Sequence, residues 1–269
     1  MNNNEFNADA ASLSVDLSEA RQAVKENRFQ DALDLFEIIL ETDPDHIDSL
    51  YLVSVSSRYL KKFDESRKYI ERLLFIAPDM GRAYQELGHI HRDMGNLAKA
   101  AIHYRQACEL NPALLASWNS LYKYFVESKN KPAADHAREQ IEKLQSLPPA
   151  LLYIDQIMNE GRLGIAETQC RAFLKKNPTH TYAMSLLSEI ANRLGYFDDA
   201  EFLLEKAVEF EPKDGELRMK YAQILRKKQK FAKTMEQVNI LCDQYPDNHT
   251  YQAQKASEVM QNGGHEEAI

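Results

Sequence analysis

Cysteine is sparse in this 269-residue chain, and the three present, Cys108, Cys170 and Cys242, lie far apart. That excludes a disulfide framework, and no Cys/His spacing fits zinc. Glycine is scarce too: there are nine, and no GxxxxGK-like loop that could cradle a phosphate. No apolar run approaches the roughly 18 residues of a membrane span. The start, MNNNEFNADAASLS, has neither the cationic nor the apolar region of a secretory signal. Positive charge is in deficit, with 33 Lys and Arg against 41 Asp and Glu, a net −8. A nucleic-acid binder needs a basic footprint, and an anionic membrane surface would repel this chain. The expectation is a cytoplasmic protein in a reducing compartment, with no cofactor.

What is present is a period. Of nine prolines, Pro44, Pro78 and Pro112 are spaced by 34, and so are Pro178, Pro212 and Pro246. From Pro112 to Pro178 the gap is 66, which is 34 plus 32. Residues 81–114 show the finer pattern: Tyr84 at position 4, Leu87-Gly88 at 7 and 8, His91 at 11, Ala100 at 20, Tyr104 at 24 and Pro112 at 32. Residues 13–46 repeat it with Ala32, Phe36 and Pro44, and residues 181–214 with Leu187, Ala200, Ala207 and Pro212. Trp118, the only tryptophan, takes position 4 of the next unit. Small residues at 8 and 20 let two helices of one unit approach. Large ones at 4, 7, 11 and 24 fill the space between units. Proline at 32 ends the second helix, because it has no N–H and disfavours helix in the residue before it.

This period and phase are those of the tetratricopeptide repeat (TPR), and the chain resembles that family. The resemblance implies an all-α TPR α-solenoid, a right-handed superhelix of about seven and a half helix–turn–helix units. The units fall at 13–46, 47–80, 81–114, 115–146, 147–180, 181–214 and 215–248, with a partial eighth at 249–269. The helix-to-helix turns are expected at Lys62-Phe63-Asp64, Met94-Gly95-Asn96 and Gly195-Tyr196-Phe197. Residues 1–12 read as a flexible N-terminal tail. The 32-residue step is expected in the fourth unit, where Arg138 replaces the aromatic at position 24 and Pro148-Pro149 follows. Two readings stand there: a packing break dividing 13–146 from 147–269, or a short turn with continuous packing. The last unit reaches Ala268 at its position 20 and then Ile269, which suggests a fragment of a longer protein.

Further stretches resemble the N-terminal repeat region of bacterial TPR-containing sulfotransferases: RAYQELGHIHRDMGNLAKA (82–100), NPALLASW (111–118), EGRLGIAETQCRAFLKKNP (160–178), LGYFDDAEFLLEKAVEFEP (194–212) and RKKQKFAKTMEQ (226–237). That resemblance implies a recruiting arm for a catalytic domain lying beyond residue 269. Within the chain itself no catalytic residue is expected, so it reads as a non-enzyme.

His89-x-His91 with His103 does not read as a metal site. Residues two apart on a helix point about 200° apart, and position 11 is a packing position. The cysteines sit at positions 24 and 28, where small apolar residues pack, and Asp198-Asp199 suit the dipole at a helix start.

The candidate site is the concave face, lined by the first helix of each unit at positions 2, 5, 9 and 12. Those spacings make one helical stripe. Unit three gives Arg82, Gln85, His89 and Arg92; its neighbours add Tyr51 and Arg58, and Asn119 and Lys123. Asp48 lies in the stripe, while Glu86, Asp93 and Glu127 flank it at positions 6 and 13. Four cations among amides suit a carboxylate, because charge-assisted bonds are the strong ones. The expected partner is therefore a protein or an acidic peptide. A second candidate patch is Asn192, Arg193, Met219, Gln223, Arg226 and Lys227.

Overall fold

The computed structural model describes residues 17–261, so the expected tail at 1–12 and the terminal Ala268 and Ile269 lie outside the described residues. Among the described residues every regular element is a helix. The chain divides into two compact units, one ending at Pro148 and the other beginning at Pro149.

The first compact unit holds α1 (17–25), α2 (Phe29–Thr42), α3 (Ile47–Tyr59), α4 (Phe63–Ile76), α5 (Gly81–Asp93), α6 (Leu97–Leu110), α7 (Leu115–Glu127) and α8 (Lys131–Gln145). The second holds α9 (Pro149–Asn159), α10 (Leu163–Lys176), α11 (Thr181–Arg193), α12 (Phe197–Phe210), α13 (Gly215–Lys227), α14 (Phe231–Gln244) and α15 (His249–Gln261). Odd-numbered helices open each repeat and even-numbered ones close it.

Each opening helix from α1 to α13 ends in the same way. The residue fifteenth in the repeat takes a left-handed backbone: Asn27, Lys61, Gly95, Lys129, Gly161, Gly195 and Gln229, with φ between 57° and 83°. The next N–H then reaches back five residues, as in Asn96 N–H to the His91 carbonyl at 2.8 Å and Lys62 N–H to the Ser57 carbonyl at 2.8 Å. This is the Schellman closure, which satisfies carbonyls that the helix end would leave unpaired. Glycine takes the conformation without strain at three of the positions. The turns fall slightly earlier than the sequence suggests, because Phe63 and Phe197 already begin α4 and α12. The prolines act as expected: α4 stops at Ile76 and α6 at Leu110, each two residues before its proline.

The left-handed residues that close the opening helices are 34 apart throughout, except that Gly161 follows Lys129 by 32, so the short step falls between the fourth and fifth turns. The opening helices of the other repeats start at their first position, at Ile47, Gly81, Leu115 and Thr181, whereas α9 starts at Pro149, two residues into its repeat. α9 is accordingly short, with 11 residues where α7 and α11 have 13. Pro148-Pro149 explains the displacement. Pro149 fits the first position of a helix, where no N–H is needed, but a proline cannot be preceded by another helical turn.

Small residues set the spacing within a repeat. A Cβ built on Gly88 would lie 2.6 Å from Cε1 of Tyr104, whose side chain is 2% exposed. In the repeat before it, Ser54 and Ser66 meet instead, each hydroxyl donating to the other's carbonyl at 2.9 and 2.7 Å. Gly88→Ala is expected to destabilise the first compact unit by about 1–3 kcal/mol, the usual cost of overpacking. Urea unfolding followed by Trp118 fluorescence measures this, and an unchanged midpoint would mean that the Tyr104 ring yields freely.

Candidate functional site

In the first compact unit, α3, α5 and α7 carry the expected stripe, but the structure corrects its charge. Arg58 does not face a ligand. It is 8% exposed and bound through Nε to Glu86 Oε1 at 2.6 Å and through a terminal nitrogen to Asp93 Oδ2 at 3.0 Å. Its guanidinium also stacks over Tyr59, 4.4 Å from the ring centroid. Arg92 binds Asp93 Oδ1 at 2.7 Å. Arg82 lies over the Tyr51 ring at 4.4 Å and 4.0 Å from Asp48. The four cations do not converge on open solvent, because position 12 of one opening helix lies beside positions 6 and 13 of the next. The acids that looked like flanking residues are the neighbours of the stripe.

The remaining stripe residues divide in two. Gln85 accepts from the Ser117 hydroxyl at 2.9 Å, which ties α5 to α7. Asn119 donates to its own helix, to the Leu115 carbonyl at 2.9 Å. His89 shares a hydrogen bond with the Tyr104 hydroxyl at 2.7 Å. Burial, with the charges of Arg58 and Arg92, holds its imidazole down to about 4, so His89 is neutral near pH 7. Lys123 is exposed and has no ion pair among the described residues. Beside it is a cleft of about 160 Å³, floored by Leu97, Ala100, Ala101 and Tyr104 of α6 and rimmed by Arg92, Ser120, Lys123, Tyr124 and Glu127.

His91 packs as its position requires. It is 8% exposed, with its ring stacked on His103 at 5.2 Å between centroids. Among the described residues no group of three or more His, Cys, Asp or Glu could hold a metal ion. All three cysteines are buried thiols. Burial raises Cys108 and Cys170 to about 12, which leaves no thiolate for nucleophilic work.

The second compact unit treats its patch in the same way. Arg193 binds Glu189 at 2.8 Å and donates to the Met158 carbonyl and to Asn159 Oδ1, both at 3.2 Å. Arg226 pairs with Glu258, itself only 2% exposed. Lys227 donates to Asn192 Oδ1 at 2.8 Å, with its ammonium 6.0 Å from the Phe197 ring centroid. Met219 is half-buried. Gln223 is exposed and makes no hydrogen bond among the described residues.

One group on this unit escaped the sequence reading. Asp155 accepts from the Tyr182 hydroxyl at 2.6 Å and from Asn159 Nδ2 at 2.8 Å. Burial pushes its carboxyl above the usual range. Asp155 sits at position 9 and Tyr182 at position 2 of the following repeat, both within the stripe positions.

Stacked helical pairs of this kind define a repeat protein that works by presenting a surface to another protein. The chain carries tetratricopeptide repeats: the tetratricopeptide-repeat family model matches residues 81–114 and 182–214. It is a protein-interaction module in that general sense. Several solved structures are similar. A chain in the structure of Naa15/Naa10 bound to HypK-THB is 17% identical, with a TM-score of 0.45, over 93% of this chain and 39% of that one. The chain therefore spans about two fifths of that protein's length. MamA protein is 14% identical, with a TM-score of 0.44, over 77% of this chain and 96% of that one. A chain of the APC/C hetero-tetramer Cut9-Hcn1 is 15% identical, with a TM-score of 0.38, over 92% and 49%. Likenesses this distant leave function untouched. No helix among the described residues is long and apolar enough to cross a membrane.

Proposed function

We propose that the first compact unit holds a segment of a partner protein along the face formed by α3, α5 and α7, with a carboxylate of that segment set against Lys123 and Arg82. The observation that carries this reading is Lys123, an exposed cation without a charged partner on a face whose other side chains are already fixed. Gln85 is held by Ser117, and Arg82 is laid over Tyr51. Side chains ordered before binding lose little entropy on binding. An exposed ammonium can meet a carboxylate without first breaking an internal pair. Arg58 and Arg92, each engaged by Asp93, contribute shape and not free charge.

The test is fluorescence anisotropy with labelled peptides rich in Asp and Glu, comparing the unaltered chain with Arg82→Ala/Lys123→Ala. Hydrogen bonds to charged groups contribute about 1.5–3 kcal/mol each, so the double variant is expected to bind at least tenfold more weakly with its helical circular dichroism unchanged. Equal binding by both proteins would remove the site from this face.

A further inference from the structure

The cleft beside Lys123 adds a feature that a flat polar face would lack. Three of its four floor residues are almost fully desolvated, Ala100 at 2% exposed, Ala101 at 3% and Tyr104 at 2%, and Leu97 at its edge is 46% exposed. The Tyr104 hydroxyl is already engaged by His89 at 2.7 Å, so the floor offers apolar surface and no unmet polar atom. The space is about 160 Å³. An apolar cavity of about 150 Å³ is large enough to take a benzene ring, so the cleft is sized for one side chain and no more. It exists because two alanines stand together on α6 where a larger pair would fill it.

The rim sets the polarity. Lys123 and Glu127 lie one turn apart on α7, and neither has an ion pair among the described residues. Arg92, on the opposite side, carries Asp93 but keeps its guanidinium on the rim, 43% exposed. Positive charge therefore brackets the cleft at Lys123 and Arg92, with the single rim carboxylate at the C-terminal end of α7.

We propose that this cleft is an anchor pocket for one leucine- or phenylalanine-sized side chain of the partner segment, with a carboxylate one or two residues away set against Lys123. The occupant is an apolar–acidic motif, and this rests on the reading of the face as a segment-binding surface. Burial of the apolar side chain supplies affinity, and the Lys123 contact selects the acid beside it. An aromatic or aliphatic anchor in a desolvated pocket with a polar rim is the arrangement that concentrates binding energy in few residues.

The experiment uses two matched small probes, phenylacetate and benzylamine, with the full chain labelled at alanine and leucine methyl groups for NMR. Phenylacetate is expected to shift the Ala100, Ala101 and Leu97 methyl signals saturably, and to bind at least fivefold more tightly than benzylamine. Lys123→Glu should reverse that preference. Ser120→Phe, which places a ring in the cleft from its half-exposed rim, should abolish both responses. No saturable shift from phenylacetate, an equal response to both probes, or responses indifferent to Ser120→Phe would overturn the proposal. The peptide test separates the two readings. If acidic peptides bind and Ser120→Phe leaves them unaffected, the anchor fails and the segment surface stands. If phenylacetate binds while no peptide does, the segment reading fails.

Discussion

Arg58→Ala is expected to destabilise the first compact unit by about 3–5 kcal/mol, the usual cost of removing one partner from a buried ion pair. Arg58 and Glu86 are 8% and 2% exposed, and the bond between them is 2.6 Å. Truncating the arginine leaves Glu86 in a desolvated place with no cation, and it also strips Asp93 of its 3.0 Å contact. Burial already pushes the Glu86 carboxyl above its usual range against the pull of Arg58. Without Arg58 the carboxylate must either stay charged in a poor solvent or take up a proton. Urea unfolding read by Trp118 fluorescence is the suitable measurement, since this sole tryptophan lies in the same compact unit. The companion variant Arg58→Met/Glu86→Leu should recover most of the loss, because an apolar pair of similar volume avoids the desolvation of two ions. A single variant as stable as the parent would show that the pair is ordinary surface electrostatics.

The second large effect is a loss of stability in mild acid centred on His89. Its imidazole is held down to about 4 by burial and by the charges of Arg58 and Arg92, against a usual 6.5. Between these values the unfolded chain binds a proton that the folded chain refuses. Stability is therefore complete above about pH 6.5 and falls as pH drops toward 4, where the folded imidazole begins to titrate too. A gap of that size between the unfolded and the folded imidazole corresponds to a full loss of about 3 kcal/mol. Histidines 91 and 103 are also lowered, by burial first, and carboxylates titrate at the lower end. The contribution of His89 is thus read as the difference between the parent and His89→Gln, which keeps a bond to Tyr104 within reach but has no charge to gain. The two stability curves should converge on acidification. Parallel curves from pH 7 to pH 4 would rule out the buried neutral imidazole.

Much of the architecture could be read from residues alone. Six prolines on a 34-residue grid, alanines at position 20 and a Gly88 that faces Tyr104 are local signals, and each acts in the structure through the steric rule that suggested it. The left-handed residue at position 15 was legible where it is Gly95 or Gly195. Where Lys61, Lys129 and Gln229 take the same conformation, nothing in their chemistry announces it. The closure of the helix end imposes it. The late start of α9 was hidden for a related reason. Pro148-Pro149 marks a boundary, but where the next helix starts is set by packing, and α9 begins two residues into its repeat.

The stripe was legible in its place on the helices and not in its charge state. The stripe positions do lie on the opening helices, and Tyr51, Arg82, Gln85 and His89 are each held in a definite arrangement there. The sequence could not show that Arg58 is buried against Glu86 or that Arg226 is matched by Glu258, so a balanced face looked like a cationic one. By itself the sequence determined the period, the helical pairs and their stops, because these follow from a 3.6-residue helix and from residues acting on their immediate neighbours. Only the tertiary structure decided which charges remain available. Those pairings join residues about 28 to 35 apart across neighbouring repeats, and the offset that brings them together is set by helix packing, which no single helix encodes.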